Sequence, residues 1–176
     1  MPIIKSEETK KYNFSIWFIN ESLEDLLDQL EPTDQVLNKI NRYKKILRKQ
    51  QNIAGRILLN KMSNKKTELL YKKNGTPYCE NFKYISISHS KKFCGVITSN
   101  HLIGLDIQHF KENLQQICNR FLNANEKKIA DNKDHNLHLM WCAKEAIYKT
   151  LNGAVCSFKK NIYIDKQTNT HIEATY

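Results

Sequence analysis

The sequence is poor in the residues that interrupt regular structure: five glycines and three prolines in 176 residues. That composition excludes collagen-like and low-complexity chains. It also lacks any apolar run near the ~18–20 residues that a membrane span needs. The first eight residues, MPIIKSEE, hold no apolar signal region. The expectation is a soluble, cytoplasmic chain with no membrane partner. The five cysteines (Cys79, Cys94, Cys118, Cys142 and Cys156) are odd in number, scattered, and contain no Cys-x-x-Cys pair. This speaks against a disulfide framework or a zinc site. They read as small core residues in a reducing compartment.

What the chain does have is 40% hydrophobic content and a formal net charge of +10. The first suffices for one compact domain or for two small halves. The second implies an anionic partner: nucleic acid, a phosphate-rich cofactor or an acidic protein. No helix-turn-helix or aromatic nucleic-acid motif is present, so nucleic acid is not the expected partner.

Residues 13–19 alternate Phe14, Ile16 and Phe18 and predict a strand. Residues 21–30 place Leu23, Leu26, Leu27 and Leu30 at helical spacing behind Ser22. Pro32-Thr33-Asp34 opens a second helical region with Val36, Leu37, Ile40, Tyr43 and Leu47 on one side, and a further helix runs over about 53–62. Lys73-Asn74-Gly75-Thr76-Pro77 is a turn signal. Strands are expected over 84–89, 93–98 and 102–107, helices from Asn113 to Leu151 with Asn152-Gly153 as the stop, and strands over 161–165 and 171–175. The order predicts an α+β chain, with halves over 1–100 and 101–176 joined near 98–101.

Three segments carry candidate chemistry. In Ile103-Gly104-Leu105-Asp106-Ile107-Gln108, a carboxylate interrupts an apolar strand, which is costly unless it is hydrogen-bonded, paired or bound to a cation. Strand alternation puts Asp106 and Gln108 on one face, opposite Leu105 and Ile107. The plain alternative is a structural Asp at a strand end. Gly104 suits a bulge or a close ligand approach. In Trp141-Cys142-Ala143-Lys144-Glu145-Ala146-Ile147-Tyr148-Lys149, helical spacing stacks Trp141, Glu145 and Lys149. The plain reading of Glu145 and Lys149 is an exposed i, i+4 ion pair worth a few tenths of a kcal/mol. Set between Trp141 and Tyr148, Glu145 is also a candidate base or metal ligand. In Ser86-Ile87-Ser88-His89-Ser90, a strand ends in groups suited to phosphate. A Ser88–His89 nucleophile couple is disfavoured, because adjacent strand residues face opposite ways. His135 and His138 lie one helical turn apart without an evident third metal ligand.

Taken together and in order, these segments resemble the 4′-phosphopantetheinyl transferase superfamily, most closely its surfactin-synthetase-activating type. The resemblance rests on Gly75-Thr76-Pro77, Ser88-His89-Ser90, Gly104-Leu105-Asp106-Ile107-Gln108, Phe121 through Glu126, and Trp141 through Lys149. It implies a pseudo-twofold pair of small α+β halves, the second shortened, because relatives with two full halves continue further beyond the Lys-Glu-Ala helix. It implies that Asp106 and Glu145 hold Mg2+ with the coenzyme A pyrophosphate, with Gln108 standing where the family has an acidic ligand. Glu145 would help deprotonate the acceptor serine, Lys149 would favour departure of 3′,5′-ADP, and Lys144 would assist electrostatically. Ser88 and His89 would contact coenzyme A phosphates, Lys39 the 3′-phosphate, and Asn52 the nucleotide. Thr76 stands where the family commonly has a basic residue. The implied reaction moves phosphopantetheine from coenzyme A to a serine of an acidic acyl or peptidyl carrier protein. Rival readings are a coenzyme A-binding homologue weakened by Gln108 and the shortened second half, and a basic nucleic-acid-binding domain.

Overall fold

A computed structural model of the chain describes residues 3–110, 114–131, 133–151, 157–168 and 170–176. The chain forms two compact units, Met1–Ile107 and Gln108–Tyr176. Each is a mixture of helix and antiparallel strand, as the element order in the sequence implies.

The first unit begins with two antiparallel strands, β1 (Ile3–Glu8) and β2 (Tyr12–Phe18). Three helices follow: α1 (Leu23–Leu30), α2 (Asp34–Asn41) and α3 (Ile46–Ser63). The short strands β3 (Leu70–Tyr71) and β4 (Pro77–Tyr78) flank the expected turn, where Gly75 adopts φ 85°. Only a residue without a Cβ takes that conformation at little cost. Strands β5 (Tyr84–Ser90) and β6 (Phe93–Ser99) complete a four-stranded sheet of order β1-β2-β6-β5.

Local chemistry starts the helices. Ser22 and Asp25 form a reciprocal capping box at α1, and the Thr33 hydroxyl accepts from the Val36 N–H at α2. Glu31 ends α1 in the left-handed region at φ 46°. The second helical region predicted from Pro32 is broken at 42–45, and α3 then runs without interruption from Ile46 to Ser63. Apolar spacing hid this break, because Ile40 is buried at one side of it while Leu47 is exposed at the other.

One face of the sheet carries Trp17, Ile85, Cys94 and Val96, which join Ile53, Ala54, Ile57 and Leu58 of α3 in a single core. Burying each such side chain contributes about 1.5–3 kcal/mol. Gly55 marks the close approach: a Cβ there would meet Cys94 Sγ and Ile87 Cγ2 at 3.6 Å. Burial pushes the Cys94 thiol pKa up to about 12. Cys79, Cys94, Cys118 and Cys142 form no disulfide; Cys156 lies outside the described residues.

The second unit holds α4 (Leu114–Phe121), α5 (Ala124–Ala130), α6 (Asp134–Thr150), α7 (Phe158–Asn161) and the hairpin β7 (Tyr163–Gln167) to β8 (Ile172–Thr175). Its core gathers Leu114, Phe121, Leu122, Ala130, Leu137, Met140 and Ile164. Trp141 sits edge-on to Phe121 at 5.0 Å and beside Phe158 at 5.7 Å. The helix-stop signal Asn152-Gly153 and the helix start at Asn113 fall outside the described residues. Among the described residues, no helix is long and apolar enough to cross a membrane.

Candidate active site

Asp106 belongs to the first unit, at the end of a segment that the sequence predicts to be a strand. The segment over 102–107 is not a strand. Instead of a backbone ladder, it uses the serines of β5. The Leu105 N–H donates to Ser86 Oγ, and the Ile107 N–H donates to Ser88 Oγ, each at 3.0 Å. The Ser88 hydroxyl then donates to Asp106 Oδ1, also at 3.0 Å. The second carboxylate oxygen, Oδ2, is buried. Side-chain hydroxyls therefore fix both the backbone around Asp106 and the carboxylate itself.

Gly95 makes room for this arrangement. It pairs with Ser88 across β5 and β6. A Cβ on Gly95 would lie 2.4 Å from Ile107 Cδ1 and 3.1 Å from Leu105 Cδ2. Leu105 and Ile107 thus share one side of their segment, as alternation predicted, and the steric demand for glycine falls on Gly95. Sequence reasoning had looked to Gly104 instead. The available signal was a lone glycine inside the apolar run over 93–98.

Ser88 is 4% exposed, and its single hydroxyl proton is spent on Asp106. In this structure its hydroxyl holds the Asp106 carboxylate. His89, next in β5, pairs with Cys94 and projects from the other face, so Ser88 and His89 form no nucleophile couple. Asn52 is taken up within α3, where its Oδ1 accepts from Arg56 Nε at 3.0 Å. Lys39 sits in the last turn of α2.

Glu145 and Lys149 lie one turn apart on α6, both half-buried, and Gln108 opens the second unit. Lys144, expected to assist electrostatically, is turned into the unit. It is fully buried, and its ammonium donates to the carbonyls of Phe121 (2.9 Å), Phe158 (3.1 Å) and Ile162 (2.7 Å). It also pairs with Glu126 Oε1 at 2.6 Å. With every proton engaged inside the unit, Lys144 has none to offer a phosphate. Burial lowers its pKa, and the Glu126 carboxylate opposes that shift.

Glu126 is the partner that sequence reasoning left without a task. Its Oε2 accepts from the Asn123 N–H at 2.7 Å, closing the capping box of α5. Its Oε1 accepts from the Ile164 N–H of β7 at 2.8 Å as well as from Lys144. One carboxylate therefore ties α5, α6 and β7 together. The Asn-x-x-Glu spacing announced the cap; the tie to Lys144 had no local signal.

The donor chemistry suits magnesium, which favours oxygen ligands and shares its shell with substrate phosphates. Asp106 in the first unit offers a carboxylate of this type, and the second unit offers the Glu145 carboxylate and the Gln108 amide oxygen. Among the described residues, no group of three His, Cys, Asp or Glu could hold a metal unaided. His138 Nδ1 lies 2.7 Å from the Asp134 carbonyl, and both His135 and His138 lie against the Phe110 ring.

Residues 102–175 match the family model described as the 4′-phosphopantetheinyl transferase superfamily. The mixed helix and antiparallel-sheet architecture agrees with its fold. A relative, 4′-phosphopantetheinyl transferase gsp of Aneurinibacillus migulanus, is 26% identical over 144 residues. That alignment takes in 74% of this chain and 61% of the relative, so the chain spans about three fifths of the relative's length.

Proposed function

We propose that this chain transfers 4′-phosphopantetheine from coenzyme A to a serine of an acidic acyl or peptidyl carrier protein, with Mg2+ and in the cytoplasm. The observation that carries the reading is the anchored Asp106: a carboxylate held by Ser88 and by a segment that Gly95 admits, at the start of the matched region. Cysteines without disulfides in both units accord with a reducing compartment. The net charge of +10 would draw an acidic carrier by long-range attraction.

In this reading Asp106 and Glu145, with Gln108, hold the metal. When bound, Mg2+ supplies charge neutralisation at the pyrophosphate. The carrier serine oxygen forms a new bond to phosphorus, the pyrophosphate P–O bond breaks, and 3′,5′-ADP leaves. The serine proton passes to Glu145, directly or through water. Lys149 offsets the charge that develops on the leaving phosphate. Ser88 and His89 would lie toward the coenzyme A phosphates, Lys39 toward the 3′-phosphate and Asn52 toward the nucleotide. Such a reaction depends on positioning and electrostatics more than on an unusual side chain.

The test incubates the protein with coenzyme A, Mg2+ and an acidic apo-carrier, followed by intact mass analysis. A phosphopantetheine mass gain is expected, lost on chelation and abolished in Asp106→Asn with the fold retained by circular dichroism. Near-normal transfer by Asp106→Asn would refute the role given to that carboxylate.

A further inference from the structure

The first unit contains a cavity of about 310 Å3 that lies apart from Ser88 and Asp106. Its lining includes Arg56, which is only 4% exposed. A guanidinium so far removed from water is costly unless an anion compensates it. The hydrogen bonds of Arg56 run through Nε to the Asn52 amide oxygen and through Nη1 to the Leu69 carbonyl at 3.3 Å. Both acceptors are neutral; the Glu68 carboxylate attracts Arg56 through space, without a direct ion pair among the described residues. The guanidinium thus meets the cavity wall while held by an amide oxygen and a backbone carbonyl.

The remaining surroundings define what the cavity could hold. Thr33, the N-cap of α2, and Val36 of its first turn line the same space, so the positive end of that helix adds to the field of Arg56. Leu30, Pro32 and Val36 form an aliphatic wall. Lys66 is engaged at the rim by Glu31, at 2.9 Å, and so contributes little net charge. Glu68, also at the rim, disfavours ligands of higher negative charge. The volume is at the small end of ligand sites.

We infer that this cavity binds a short aliphatic monocarboxylate, its carboxylate on Arg56 and the start of α2 and its hydrocarbon part against Leu30, Pro32 and Val36. One buried cation matches one negative charge, and a planar guanidinium suits a carboxylate.

The test is an NMR titration of the full chain with isovalerate at constant ionic strength, with isovaleramide and inorganic phosphate as controls. Saturable shifts are expected at the Arg56 Nε–H and at the amides of Thr33 to Val36, with none from isovaleramide and no displacement by phosphate. Unsaturable shifts, equal response to isovaleramide, or displacement by phosphate would each overturn the inference. Arg56→Gln should weaken isovalerate by about tenfold or more, the range for a charged hydrogen bond. Because that change is made in the core, Val36→Phe gives a second arm: it fills the aliphatic wall and should abolish saturation while the melting temperature holds. Undiminished binding by a folded Val36→Phe protein would refute the site.

Discussion

Replacing Lys144 with methionine is the sharpest way to ask whether the second unit depends on its buried ion pair. Methionine keeps the unbranched stem and removes only the ammonium. The side chains of Lys144 and Glu126 are 0% and 1% exposed, so neither charge can turn to water. In Lys144→Met, Glu126 keeps the N–H groups of Asn123 and Ile164 but loses its cation. The carbonyls of Phe121, Phe158 and Ile162 lose a shared donor. Breaking a buried pair from one side costs about 3–5 kcal/mol, a large part of the ~5–15 kcal/mol of a typical domain. Lys144→Met combined with Glu126→Gln removes the stranded charge, and the glutamine oxygen still accepts from Ile164. The double variant should therefore lose less than the sum of the singles, with a coupling of about 1–3 kcal/mol. Urea unfolding of the four proteins at pH 7, followed by circular dichroism with the slope checked for constancy, measures this directly. A loss below about 1 kcal/mol for Lys144→Met, or simple additivity in the cycle, would refute the reasoning.

Two further outcomes follow from the first unit. Gly95→Ala places a methyl group 2.4 Å from Ile107 Cδ1, so the segment bearing Asp106 must shift. Overpacking of this kind costs about 1–3 kcal/mol. The expected result is reduced urea stability together with a fall in carrier modification larger than that of an alanine substitution at an exposed site; an unchanged midpoint and rate would show that the segment yields freely. The second concerns pH. Burial raises the Cys94 thiol from an ordinary value of 9.0 to about 12. Between those values the unfolded chain has released a proton that the folded chain retains, so stability is full below pH 9 and declines as pH rises towards 12. Urea midpoints from pH 8 to 11 should fall more steeply for the natural protein than for Cys94→Ala, and parallel slopes would count against a buried thiol.

Much of the secondary structure was legible because its signals are local. Ser22 with Asp25 caps a helix through residues three positions apart, and the alternation in β2 and β5 and the apolar run of β6 need only neighbours in sequence. β1 escaped notice because all six of its residues are exposed and it is held by pairing with β2. The segment over 102–107 had the composition of a strand, but serine hydroxyls took the place of the backbone acceptors that would have made it one.

The sequence by itself determined the resemblance: ordered Ser-His-Ser, Gly-x-Asp and Lys-Glu-Ala segments, a basic balance, and carboxylates in apolar surroundings. Those features depend on residue identity and short spacing, which a chain carries before it folds. Only the tertiary structure decided what the neighbours do. It assigned Ser88 to Asp106 across 18 residues and Lys144 to Glu126 across the same interval, and it placed the steric need for glycine at Gly95. Contacts at that separation are set by packing, because burial obliges each polar group to find a partner wherever the fold brings one within reach.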